Sequence, residues 1–157
     1  MQILGKTADG AAVVNRHNSH LHDDVQMVIT EALSRVYTHK RPFIESEVDF
    51  GRVIGESCCV PTNSRDCIVF AQRPHRQGLT RFVLDKAKVP TTKAMVVLKK
   101  TGGQNEYVLI TAFIGEKAEV EPWDPRATSA SLDFWQSRAL VWGEPIVMET
   151  TTAKYPW

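Results

Sequence analysis

The sequence predicts an α+β fold in which an N-terminal helix packs on a four-stranded antiparallel β-sheet meander, with a short C-terminal helix. Three observations predict it. Apolar residues recur at steps of three and four between His22 and Val36, and two pairs of apolar runs between residues 67 and 115 are each separated by a glycine-containing reversal. A capping residue then follows a proline-punctuated loop near residue 128. At 157 residues, with 43% hydrophobic and 24% charged side chains, the chain has the size and composition of one globular domain. Residues 1–146 are expected to form it, with 147–157 as a loose tail.

Residues 1–15 show no sustained period. In the first helix, Val25, Val28, Ile29, Ala32, Leu33 and Val36 share one face, and Gln26, Thr30, Glu31, Ser34 and Arg35 take the others. Asp23 and Asp24 fall in its first turn, where negative charge complements the helix dipole. His39, Lys40, Arg41 and Pro42 mark its end. The stretch 43–66 holds two glycines, a proline and mixed polarity, and reads as a long connection with one or two short strands. CIVFAQR (67–73) and LTRFVLD (79–85) flank PHRQG as a first hairpin. KAMVVLKK (93–100) and EYVLITAFIG (106–115) flank TGGQN as a second. AMVVL and YVLITAFI are apolar at both parities, so both faces of these strands should be at least partly covered. Beyond the acidic loop EKAEVEPWDPR, Thr128 or Ser129 caps a short helix running through Leu132, Trp135 and Leu140.

Composition narrows the function. No run approaches the roughly 18 apolar residues of a membrane helix, and AAVV is too short for a signal-peptide core, so a cytoplasmic protein without a membrane partner is expected. Cys58, Cys59 and Cys67 make an odd count without CxxC spacing, which argues against a disulfide framework or a zinc ribbon. The net charge is only +1. Between Arg65 and Lys100, however, nine Lys and Arg face two Asp, a net +7 over 36 residues, while the remainder carries −6. A single-sign block of this kind attracts polyanions. Within it Arg73 and Arg76, which flank the PHRQG turn with His75, and Lys93 and Lys99 on the second hairpin are the expected polyanion contacts.

The densest group of unusual side chains is NRHNSHLHDD, with His17, His20 and His22. Their HxxHxH spacing could gather imidazoles round a metal, although it matches no zinc motif with a known geometry. The same side chains suit acid/base work near neutral pH, and a solvated loop at a helix start is the plain alternative. Thr111 interrupts YVLITAFI at the parity of Tyr107, Leu109 and Phe113, so a buried hydroxyl there needs a partner. Arg81 alternates with Leu79 and Val83, which puts a guanidinium on an apolar face, where it should be paired or meet an anion.

A histidine-bearing segment entering one helix, then TRFV, VVLKK and YVLITAFIG strands, resembles the phage- and plasmid-associated branch of the barnase/EndoU/colicin/RelE superfamily of RNases over roughly residues 15–125. The resemblance implies a helix on a four-stranded antiparallel sheet with a basic cleft, and a toxin-like endoribonuclease that needs no metal or cofactor. Such an enzyme uses the ribose 2′-hydroxyl for transesterification, which requires a base, a cation for the phosphoryl charge and an acid for the leaving oxygen. On that pattern His17 is the first acid/base group and His20 or His22 the second, Arg81 balances the phosphoryl charge and Thr111 orients it. Trp123 or Phe70 is a candidate to stack a base, with core or loop packing as the favoured use of each. RNA is the implied partner, with an inhibitor or immunity protein as a second. Phe113 departs from better-known EndoU-type members, which carry a tyrosine two residues after the threonine. A nonenzymatic RNA- or protein-binding module is the alternative, and His39 has no role in either reading.

Overall fold

Strands dominate the computed structural model, which describes residues 2–16, 23–143 and 146–157. In chain order these are β1 (Gln2–Lys6), β2 (Ala12–Asn15), a 3-10 turn (Asp23–Val25), α1 (Ile29–Leu33), β3 (Phe43–Asp49), β4 (Gly55–Ser57), β5 (Cys59–Pro61), β6 (Cys67–Gln72), β7 (Leu79–Leu84) and β8 (Val89–Thr91). There follow β9 (Lys93–Lys100), β10 (Glu106–Ile114), α2 (Ser129–Ser137), β11 (Arg138–Val141) and β12 (Val147–Thr152). The chain divides into two compact units, Met1–Glu56 with Pro90–Lys117 and Ser57–Val89 with Ala118–Trp157. Among the described residues no helix is long and apolar enough to cross a membrane.

The first unit holds a five-stranded sheet in the order β1-β2-β10-β9-β3, antiparallel except where β10 runs parallel to β2. One face of it, with Val13, Ile44, Val96, Leu98, Tyr107 and Leu109, packs against Val25, Ile29, Ala32, Leu33 and Val36. The apolar stripe expected of a helix from His22 to Val36 is therefore buried. The helix itself is not there: α1 spans only five residues and is preceded by a 3-10 turn. Val25, Val28, Ile29, Thr30 and Val36 are β-branched and lose rotamer freedom in a helix, and Val28 at the N-cap brings no side-chain hydrogen bond. Tighter turns also bring residues three apart to one side, so the spacing reported burial rather than helix length.

The second unit holds a sheet in the order β12-β6-β7-β11-β5, with β11 parallel to β7. β4 and β8 form a separate two-stranded ladder. Both expected hairpins exist with the expected turns, β6 against β7 and β9 against β10. They do not form one four-stranded meander, because each joins a different sheet. A hairpin is specified by its own turn, but its neighbours are recruited from far along the chain. β9 takes β3 from the stretch read as a long connection, where FIESEVD buries Ile44 and Val48 and exposes Phe43, Glu45, Glu47 and Asp49. An α+β helix-on-meander fold is thus replaced by a mainly β one.

Two further corrections lie near the C-terminus. Helix α2 begins after Thr128, whose N–H donates to Ser131 Oγ at 3.1 Å, but it stops at Ser137, and Leu140 belongs to β11. Residues expected to trail as a tail instead pair as β12 with β6. Tyr155 and Trp157 then meet the buried Phe70 ring edge to face, at centroid distances of 4.9 and 5.2 Å.

Candidate nucleic-acid interface

One end of the first unit's sheet gathers cations and exposed aromatic rings. Lys99 lies directly opposite Phe43 across the β9–β3 ladder, which places both side chains on one face of the sheet. Lys100, on the other face, donates its N–H to the Pro42 carbonyl at 2.8 Å. The buried Tyr107 donates its hydroxyl to the Arg41 carbonyl at 2.7 Å. These contacts hold the segment YTHKRPF (37–43) against the ends of β9 and β10.

The segment is fixed from its other side by Asp9. Its carboxylate accepts from Thr7 Oγ1 at 2.6 Å, Thr38 Oγ1 at 2.7 Å, and the Thr38 and His39 amides at 3.0 Å each. Desolvation by its neighbours opposes the charge on Asp9, but the hydrogen bonds from Thr7, Thr38 and His39 outweigh it and hold the carboxyl far below the usual carboxylate range. His39 and Lys40 consequently adopt left-handed backbone, with φ of 49° and 57°. Thr38 is buried, whereas Tyr37, His39, Lys40 and Arg41 face solvent. The rings of Tyr37 and His39 are stacked, 6.0 Å apart at 20°. Lys40, Arg41, Lys99 and Lys100 are all exposed, and none forms an ion pair among the described residues.

The sequence-predicted residues fare differently. His17, His20 and His22 lie outside the described residues. Thr111 is on β10 in the first unit and Arg81 on β7 in the second. A β-bulge between Leu109 and Thr111 inserts one residue, so Thr111 pairs with Val97 and leaves the core face that Tyr107 and Leu109 occupy. Arg81 is 5% exposed, and its Nη1 donates to Thr62 Oγ1 and the Arg138 carbonyl, both at 2.8 Å. Its charge meets protein oxygens.

The basic block between residues 65 and 100 is likewise divided. Arg73 donates to Glu121 at 2.6 Å and to Thr80 Oγ1 at 3.1 Å, and Lys86 pairs with Asp66 at 2.8 Å. Lys93 lies between Glu47 and Glu116 at 3.5 and 3.9 Å. Arg76 is exposed and belongs to the second unit, so of the four expected polyanion contacts only Lys99 joins the cluster described above. Trp123 is half-buried and packs over Gly78 with its indole nitrogen buried, and Phe70 has no exposed surface, so Phe70 presents no ring to a base. Sequence reading missed Tyr37, His39, Lys40, Arg41, Phe43 and Lys100. The interleaving of aromatic and basic residues in YTHKRPF is the sequence signal for most of them, and the same residues also fit a helix stop.

Comparison with protein-family models, with curated proteins and with solved structures gave no match.

Proposed function

We propose that the protein is an RNA-binding module that engages phosphates through Lys40, Arg41, Lys99 and Lys100. The observation that carries this reading is that strand register and backbone hydrogen bonds bring four exposed cations, without ion-pair partners among the described residues, to one end of one sheet. Paired surface cations are already partly neutralised, but these four retain their attraction for a polyanion. Two placements favour binding over cleavage. Arg81, the cation expected to balance the phosphoryl charge, is buried on protein acceptors, and Thr111 points away from the core face where its hydroxyl was expected.

The test is fluorescence anisotropy of the whole chain with labelled RNA across a series of salt concentrations. Affinity should fall steeply with salt, and Lys99→Ala and Lys100→Ala should each weaken binding and lower the salt slope by about 1. Salt-insensitive binding, or unchanged binding in the double variant, would overturn the proposal.

A further inference from the structure

Resting on the RNA-binding reading, we infer that this surface selects single strands, by stacking unpaired bases on Tyr37 and Phe43 beside the phosphate-binding cations. A duplex keeps its base faces stacked inside and offers a protein mainly its backbone. Exposed aromatic rings would add nothing to such a contact. Here Tyr37 is 62% exposed and Phe43 50% exposed, and both belong to the same seven-residue segment as Lys40 and Arg41. One exposed aromatic residue is ordinary on a protein surface, but two in one segment with exposed cations that form no ion pair among the described residues give the combination of stacking platform and charge used for single strands.

The geometry adds a register. Cross-strand partners have Cβ atoms about 5 Å apart, so the Lys99 stem rises alongside the Phe43 ring. A base lying on Phe43 would have its own phosphate within reach of the Lys99 ammonium. His39 stacks with Tyr37, and the large exposed area of Tyr37 leaves ring surface for a second base. The segment is also ordered before any ligand arrives. Asp9 holds its first half through the Thr38 and His39 amides, and Tyr107 and Lys100 hold its second half through the Arg41 and Pro42 carbonyls. Little ordering entropy therefore opposes binding.

Anisotropy titrations of the whole chain with a single-stranded RNA 12-mer and with a duplex of the same length separate this inference from the reading it rests on. The single strand should bind roughly 10-fold or more tightly than the duplex. Tyr37→Leu and Phe43→Leu should each weaken single-strand binding by about 5- to 100-fold and leave duplex binding unchanged, because one stacked base is lost. Thermal melting of each variant checks that it is folded; Tyr37→Phe and Phe43→Tyr keep a ring and should restore binding. Equal affinity for both RNAs, or Leu variants that bind the single strand like wild type, would overturn single-strand selection while leaving RNA binding intact if Lys99→Ala and Lys100→Ala still weaken it. Loss of neither RNA on removal of the lysines, or binding of neither by wild type, would overturn both.

Discussion

The hydroxyl of Tyr107, a side chain with no exposed surface, donates to the Arg41 carbonyl across 2.7 Å and so ties the core of the first unit to its basic segment. The bond satisfies a polar atom that would otherwise be buried alone. Tyr107→Phe keeps the ring in the core and removes only this bond. It should cost about 1 kcal/mol and lower the melting temperature by about 3 °C. RNA affinity should fall as well, because Arg41 loses its anchor. A melting curve and one anisotropy titration check both outcomes.

Asp9 makes stability depend on acid. Its carboxyl titrates far below the usual range in the folded chain, while in the unfolded chain it should titrate near the ordinary value of about 4. A depressed folded pKa contributes stability that is complete above the unfolded value and is lost as pH falls toward the folded one. Urea midpoints should therefore decline below about pH 5, and the decline should be smaller in Asp9→Ala. At neutral pH that variant should already have lost about 2 kcal/mol, since the Thr38 and His39 amides lose a charged acceptor.

Gly78 is required by contact. A Cβ at this position would overlap the Cβ and Cγ of Trp123, and the Cβ cannot move aside without moving the backbone of the 121–124 turn. Gly78→Ala should destabilise the protein by about 1–3 kcal/mol, as overpacking does, and a denaturant melt measures it. Recovery of stability in Gly78→Ala combined with Trp123→Gly, relative to Trp123→Gly alone, would show that this contact is the cause.

What could be read from the sequence was local. The β6–β7 and β9–β10 hairpins were legible because PHRQG and TGGQN specify reversals and the flanking runs favour strands. Which sheet each hairpin joins was not legible, since it depends on pairing with β2, β3 and β11, segments more than 40 residues away in the chain or without a clear signal. Thr111 shows the same limit at one residue. Its parity with Tyr107 and Leu109 was correct in the sequence, and a bulge that no periodicity announces reversed it. Arg81 was the better case: a guanidinium alternating with Leu79 and Val83 had to find acceptors, and it found Thr62 and Arg138 rather than an anion. The basic segment was visible only as composition, and the register that joins Lys99 to Phe43 was needed to make it a surface.

Arg73 provides the sharpest contrast between a structural cation and a binding one. Glu121 is 8% exposed; one of its carboxylate oxygens accepts from Arg73 at 2.6 Å and the other is buried without a hydrogen-bond partner among the described residues. Removing the guanidinium would strand a buried carboxylate, which is far more damaging than losing an exposed ion pair. Arg73→Ala should therefore cost about 3 kcal/mol, whereas Arg73→Ala combined with Glu121→Gln should recover part of that loss, because the stranded group is then neutral. In RNA titrations Arg73→Ala, measured where it is still folded, should leave the salt slope unchanged, since its charge already belongs to Glu121. Lys99→Ala should show the opposite pattern, with a melting temperature close to wild type and a reduced salt slope. A lowered slope in Arg73→Ala would place this arginine on the RNA after all, and a stability loss no larger than that of Lys99→Ala would show that the buried pair contributes little.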